Sequence, residues 1–271
     1  MKVVKIFIYP VKSTHRIRVA EAAVNPWGLQ HDRRWMVVDD AAGFLTQREE
    51  PRLAQVQADI TSEGLVLTAP GMAALAAAFP EGAEEDVTIW KDSVRSVAAD
   101  ELSGTWFTRY LGRPCRLVYM RDPYARPADA TFARPGSVVS FADGYPLLMT
   151  SEASLADLNR RMSEAVPVTR FRPNVVIDGR TAFEEDTWKR IRIGQVAFDV
   201  VKPCTRCVIT TIDQESGHPV GREPLRTLNA FRKYGGNVYF GENLVPVNTG
   251  TIRVGDEVEL LERRAAAMPS G

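Results

Sequence analysis

Residues 191–210 read IRIGQVAFDVVKPCTRCVIT, and two patterns meet in that stretch. Ile191 and Ile193, then Val196, Phe198 and Val200, alternate on either side of Gly194-Gln195. A period of two broken by a two-residue turn is the signature of a hairpin with one face in a core. Behind it stand Cys204 and Cys207, three apart with Arg206 between them, followed by the β-branched run VITTI, which reads as further strand.

Working outward, the same strand-and-turn alternation recurs. VVKIFIYPV opens the chain as a strand; RWMVVD and GFLTQ flank the turn-like DDAAG; QADI and LVLTA flank SEG. In VTIWKDSVRSVAA the turn is expected at KDS, and TIRVGDEVELL reads as a closing hairpin. The Ala-rich AALAAAF near residue 75 is expected to be a loop or short helix. Three helices stand out: ELSGTWFTRYLG, with Asp100 as N-cap and Gly112 as stop; SEASLADLNRRM, capped by Ser151, with Leu155, Leu158 and Met162 on one face; and PLRTLNAFRKYGG, ended by its glycines. Many antiparallel strands with a few helices give an α+β, β-rich chain.

The segment 121–137 carries Pro123, Pro127 and Pro135 and has no usable periodicity. It is expected to separate an N-terminal β-barrel-like domain, residues 1–120, from a second β-barrel domain, residues 121–265, with a frayed tail at 266–271.

At 271 residues, 45% hydrophobic and 25% charged, the chain is globular, and 34 basic against 34 acidic side chains give no sign of a nucleic-acid partner. The balance is uneven: the first 34 residues hold Lys2, Lys5, Lys12, Arg16, Arg18, Arg33 and Arg34 against Glu21 and Asp32. A basic opening suits an anionic ligand, and scattered surface charge accounts for it equally well. Lys5 and Pro10 interrupt any signal-peptide core, no apolar run reaches the roughly 18 residues of a membrane span, and three cysteines fit a reducing compartment. The expectation is a cytoplasmic protein without a membrane span.

Taken alone, the cysteine pair is open to several readings. It is half of a tetrahedral zinc site, but Cys115, His15, His31 and His218 are isolated. A redox pair wants a helix after its first cysteine, which VITTI does not offer. Two small buried hydrophobes is the bland alternative. Against it, Arg206 and Lys202 favour a thiolate, the soft ligand that selects transition metals.

The wider sequence carries a resemblance. YPVKS at 9–13, HDRRWMVV at 31–38, SFADGYP at 140–146, SEASLADLN at 151–159, FRPNVVIDG at 171–179, KPCTRCVITTIDQESG at 202–217 and GTIRVGDEVEL at 250–260, in that order, resemble the MOSC superfamily of molybdenum-cofactor sulfurase C-terminal domains. Within it, the chain is most similar to proteins with an added N-terminal β-barrel domain, the mitochondrial amidoxime-reducing component and its bacterial relatives. The resemblance implies a molybdenum cofactor whose metal takes one protein ligand, Cys207, with Cys204 a neighbour. It further implies cofactor contacts from Lys12, Ser13, Arg33, Asp143, Gly144, Arg172, Thr205, Arg206 and Asn243, with Asp143 also a candidate for proton transfer. Arginine forks suit a phosphate and a pterin edge better than lysine point charges do.

The implied activity is reduction of N-hydroxylated compounds, such as amidoximes, hydroxylamines and N-hydroxylated bases. Electrons would come from a separate ferredoxin, flavoprotein or cytochrome, since the sequence holds no cluster-binding set of four cysteines. The competing reading is a carrier of the cofactor, or of sulfur as a persulfide on Cys207.

Overall fold

In a computed structural model, which describes residues 1–265, the hairpin that opened the sequence lies at one end of the largest sheet. Trp188–Ile193 and Val196–Thr205 pair antiparallel across Gly194-Gln195, in the register Ile193 to Val196. Gly194 adopts φ +56°, and a Cβ there would come within 2.8 Å of the Asp256 carboxylate, so the turn requires glycine.

The nine-stranded sheet runs Ile17–Val19, Val3–Ile8, Val175–Ile177, Leu147–Ser151, Asn237–Pro246, Val196–Thr205, Trp188–Ile193, Val258–Arg263, with Lys233–Tyr234 added to the edge of Asn237–Pro246. Its two ends approach each other. Lys2 bridges Glu257, Val258 N donates to Met1 O at 2.8 Å, and Val3 N donates to Asp256 O at 3.0 Å. This sheet folds around one core that includes Val3, Ile6, Met149, Ile177, Trp188 and Phe198. The strand at the chain's start therefore shares a core with strands from its second half.

A second core, around Trp35, Leu53, Leu67, Phe107 and Leu117, lies against the sheet Gln57–Ile60, Gly64–Thr68, Leu75–Ala78 and the helix Glu101–Leu111. A four-stranded sheet, Trp35–Asp39, Cys115–Tyr119, Asp92–Ala98, Glu84–Ile89, completes this part. The division at residue 120 stands as a proposal about domains, with Val3–Ile8 and Glu21–Asn25 pairing across it to Val175–Ile177 and Gly250–Arg253. The tail 266–271 lies outside the described residues.

The caps are where the sequence places them. Asp100 accepts from Ser103 N, Gly112 closes its helix at φ +73°, and Ser151 caps Glu152–Arg160. Leu158 on that helix is fully buried, and Leu155 and Met162 pack with it.

Five local expectations are corrected. AALAAAF contributes the strand Leu75–Ala78, with Ala77 buried against Gly64, where a Cβ would meet Ala77 O at 2.1 Å. The turn of the VTIWKDSVRSVAA hairpin is Trp90-Lys91, one residue early, because Ile89 pairs with Asp92. Gly235 and Gly236 do not end a helix; both have positive φ and form the two-residue turn into Asn237–Pro246, while Leu225–Phe231 stops before Arg232. TIRVGDEVELL is not a hairpin, since Gly250–Arg253 pairs with Glu21–Asn25 and Val258–Arg263 with Trp188–Ile193. Finally, VITT is a 3-10 turn, Val208–Thr211. Thr210 donates from both N and Oγ1 to Cys207 O, and Thr211 Oγ1 donates to Val208 O. Hydroxyls that bond the local backbone win over β-propensity here.

Candidate functional site

A cavity of about 1180 Å³ is lined by residues from both halves of the chain, and all ten residues carried over by the resemblance are among them: Lys12, Ser13, Arg33, Asp143, Gly144, Arg172, Thr205, Arg206, Cys207 and Asn243. They come from segments far apart in sequence that the sheet pairings bring together. Lys12 and Ser13 follow the first strand, Arg33 precedes Trp35–Asp39, and Thr205 ends Val196–Thr205, with Arg206 and Cys207 just beyond. Asn243, on the neighbouring strand, donates to Lys202 O at 3.1 Å.

The backbone is held in an uncommon state at this cavity. Seven non-glycine residues among those described have positive φ, and Ser13, Arg33, Trp90 and Arg172 all line it. Each such residue costs on the order of 1–3 kcal/mol and persists only where its surroundings over-determine it. The interlock is visible. Gln47 Nε2 donates to Ser13 O at 2.7 Å and pairs with Gln214, whose Oε1 accepts from Arg172 Nη1 at 2.9 Å.

Two guanidiniums lie over one buried ring: Arg33 is 4.4 Å and Arg172 4.3 Å from the centre of Tyr9. Arg33 is neutralised by Asp32 at 2.6 Å and also donates to Asn174. Arg172 Nη2 is buried and has no partner among the described residues, and the same holds for Arg206 Nη2. Burial brings the Arg172 pKa down to about 10. A buried donor on a charged group left unsatisfied costs more than a neutral one, so both sites favour an anion with acceptor oxygens.

Lys12 is buried, and its ammonium donates to Phe141 O at 2.8 Å and to Asp143 Oδ1 at 2.6 Å. Burial lowers its pKa to about 8, against the pull of Asp143. At Asp143 burial pushes upward, but Lys12, Arg48 and Arg33 outweigh it and hold the carboxylate well below the usual range. Its side chain is 61% exposed, at the cavity's open side, so the pair is part solvent-screened.

This makes anion binding pH-dependent with a definite sign. A bound anion returns Lys12 toward its ordinary pKa, so between about pH 8 and 10.5 binding takes up a proton and weakens as pH rises. Titration of metal-free protein with inorganic phosphate, dianionic throughout that window, is expected to show roughly tenfold weaker binding at pH 9.5 than at 7.5. Lys12→Met should flatten the profile; a wild-type profile already flat would contradict the account.

Cys207 sits at the head of the 3-10 turn, half-buried, with its Sγ accepting from Arg48 Nη2 at 3.4 Å. Cys204 also lines the cavity, but burial pushes its thiol pKa up, and it donates weakly to Thr205 O. Cys115 is buried in the second core. Among the described residues no group of three or more His, Cys, Asp or Glu side chains is disposed to hold a metal ion, so a metal at Cys207 needs its other ligands from a non-protein group. Gly144 has open space where a Cβ would stand, so packing does not demand glycine there.

Several cavity residues had no signal in the sequence. Arg126 is buried, paired to Asp92 at 2.8 Å, and braces the Ala142-Asp143 backbone through their carbonyls. Arg170 is buried against Thr210 O, Arg48 stands beside Cys207, and Trp90 lies against Arg48. Tyr9 opens YPVKS, yet nothing in that motif shows that its ring will meet two arginines.

Comparison with known proteins matches residues 1–114 to the MOSC N-terminal beta barrel domain and residues 136–259 to the MOSC domain. The human mitochondrial amidoxime-reducing component 1 is 36% identical over 96% of this chain and 82% of its own length. The rat mitochondrial amidoxime reducing component 2 is 33% identical over 94% and 81%. A rice molybdenum cofactor sulfurase is 31% identical over 87% of this chain, which spans 31% of that protein.

Proposed function

Since the chain belongs to the MOSC family and carries both the N-terminal barrel domain and the MOSC domain, we propose that it is a molybdenum-cofactor-dependent oxidoreductase. It reduces N-hydroxylated compounds to amines or amidines, with electrons from a separate redox protein. The observation that carries this reading is the pair of buried, unpartnered guanidinium nitrogens, Arg172 Nη2 and Arg206 Nη2, on the same cavity as the Cys207 thiol. An anionic, donor-and-acceptor-rich organic group with a soft metal satisfies all three at once.

Arg172, Arg206, Arg33, Lys12 and Ser13 would hold the anionic and pterin parts, and Cys207 would be the metal's protein ligand. When bound, the cofactor supplies a two-electron metal couple at that thiolate. The chain's own residues do the rest. Tyr9 offers its ring to both Arg33 and Arg172, and Asn174 accepts from Arg33. Lys12, kept charged by the bound anion and by ionised Asp143, holds the Phe141 carbonyl and the Asp143 carboxylate in place at the cavity wall. Gly144 and Asn243 shape the wall through backbone and local bonds.

Among the described residues no helix is long and apolar enough to cross a membrane, and all three cysteines are free thiols. A cytoplasmic setting, where thiols stay reduced, belongs to the same proposal. The direct test is reduction of benzamidoxime to benzamidine by purified, cofactor-loaded protein with an external one-electron donor. Cofactor-loaded protein that turns over no N-hydroxylated compound would overturn the reading.

A further inference from the structure

Arg48 donates to the Cys207 thiol, and it comes from a loop that none of the recognisable motifs includes. Its only side-chain hydrogen bond among the described residues goes to Cys207 Sγ at 3.4 Å. The guanidinium carbon lies 5.0 Å from the centre of the Trp90 ring, and Trp90 meets Phe44 edge-on at 4.9 Å. A guanidinium over a ring is not saturated, and the remaining N–H donors of Arg48, a residue of the cavity lining, have no hydrogen-bond partner among the described residues.

Trp90 is itself unusual. It stands at the tip of the hairpin Glu84–Ile89 and Asp92–Ala98 with φ +55°, a conformation that a bulky side chain rarely adopts, and it is 47% exposed. The fold thus presents a large aromatic face at the cavity mouth. Arg48 lies between that face and the sulfur. Its charge also reaches Asp143, whose carboxylate it helps keep ionised.

We propose that Arg48 is a catalytic residue for N–O reduction, donating to the oxygen of the N–O group, with Trp90 as the positioning residue that holds its guanidinium plane. The inference rests on the reductase reading. For an amidoxime the N–O bond breaks with two electrons from the external donor protein and two protons; the nitrogen is left as the N–H of the amidine and the oxygen leaves as water. Negative charge gathers on the departing oxygen before it is fully protonated, and a preorganised cation beside that atom stabilises this stage more than the ground state. Arginine suits the task better than lysine because its fork can keep one donor on sulfur while another meets oxygen.

Two readouts test this, one of them independent of turnover. In metal-free protein with Cys204→Ala, so that Cys207 is the reactive cavity thiol, alkylation by iodoacetate is compared with alkylation by iodoacetamide. A guanidinium facing the approach to sulfur favours the anionic reagent. Arg48→Met should lower the iodoacetate-to-iodoacetamide rate ratio at least about threefold, and Arg48→Lys should retain most of it. In holoenzyme of matched metal and pterin content, Arg48→Met should lower kcat for benzamidoxime by about 10²- to 10³-fold with little change in KM, the scale of losing one preorganised donor. Trp90→Leu should move both readouts in the same direction by less.

An Arg48→Met variant with an unchanged alkylation ratio and kcat within about twofold of wild type, in an otherwise active enzyme, overturns this inference alone. Wild-type holoenzyme inert towards benzamidoxime overturns the reductase reading and this inference with it.

Discussion

Replacing Cys207 with alanine is expected to abolish benzamidoxime reduction, lowering it by more than about 10³-fold, while the fold stays intact. The side chain is half-buried, its backbone bonds run through the carbonyl to Thr210, and its sulfur touches only Arg48 among the hydrogen-bond partners described. Loss of the thiol therefore removes the proposed metal ligand without opening a core. Cys204→Ala is the internal control. Burial keeps that thiol protonated, and only a weak bond to Thr205 O is lost, so activity should remain within about twofold of wild type. Equal loss in both variants would mean that the pair acts as a unit, and full activity in Cys207→Ala would remove the metal-ligand assignment. Circular dichroism and cofactor content, measured on the same samples, separate loss of chemistry from loss of structure.

The largest effect on stability is expected from Arg264→Met, far from the chemistry. Arg264 closes the back of the main sheet. Its guanidinium donates to Glu242 Oε2 at 2.8 Å, to Val200 O at 2.9 Å and to Asp186 O at 3.2 Å, and its backbone N donates to Thr187 O. Glu242 is fully buried, and burial raises its pKa well above the ordinary carboxylate range, with Arg264 as the opposing influence. Taking away one partner of such a pair costs roughly 3–5 kcal/mol, because Glu242 must then either ionise without compensation or stay protonated in the fold.

The sign with pH follows from Glu242. Once Arg264 is gone, its folded pKa rises further above its unfolded value, so the folded state binds the extra proton and stability falls as pH rises through that interval. Urea unfolding at pH 6 and pH 8 should show a larger deficit at pH 8. A deficit under about 1 kcal/mol at both pH values would show that the pair is not isolated from water.

Much of this architecture was legible from residues whose signals are local. Asp100, Ser151 and Gly112 mark helix ends by side-chain chemistry, and Gly194-Gln195 marks a turn whose flanking residues alternate. Where local signals competed with tertiary ones, the sequence misled. Leu75–Ala78 is a strand because it lies along Gly64–Thr68, not because alanine favours strands. VITT turns because Thr210 and Thr211 bond their own backbone. The segments of TIRVGDEVELL find partners more than 60 residues away, at Glu21–Asn25 and Trp188–Ile193, which no short-range pattern reports.

The candidate site divides in the same way. Its ten motif residues were legible only through resemblance, since each arginine alone reads as surface charge, and the cavity that gathers them is a product of sheet pairing. Tyr9, Arg48, Trp90 and Arg126 were not legible, because their importance lies in what they stack on or brace. A ring that meets two guanidiniums leaves no spacing signature.

The claim that unites these results is that the cavity holds a molybdenum cofactor through Cys207 and the unpartnered arginines. Metal analysis together with pterin fluorescence of the purified protein tests it most directly. The account predicts stoichiometric molybdenum with pterin in the wild type, and loss of pterin retention when Arg172 and Arg206 are both replaced by methionine. Metal-free, pterin-free protein bearing a persulfide on Cys207 would contradict it and establish a sulfur carrier instead.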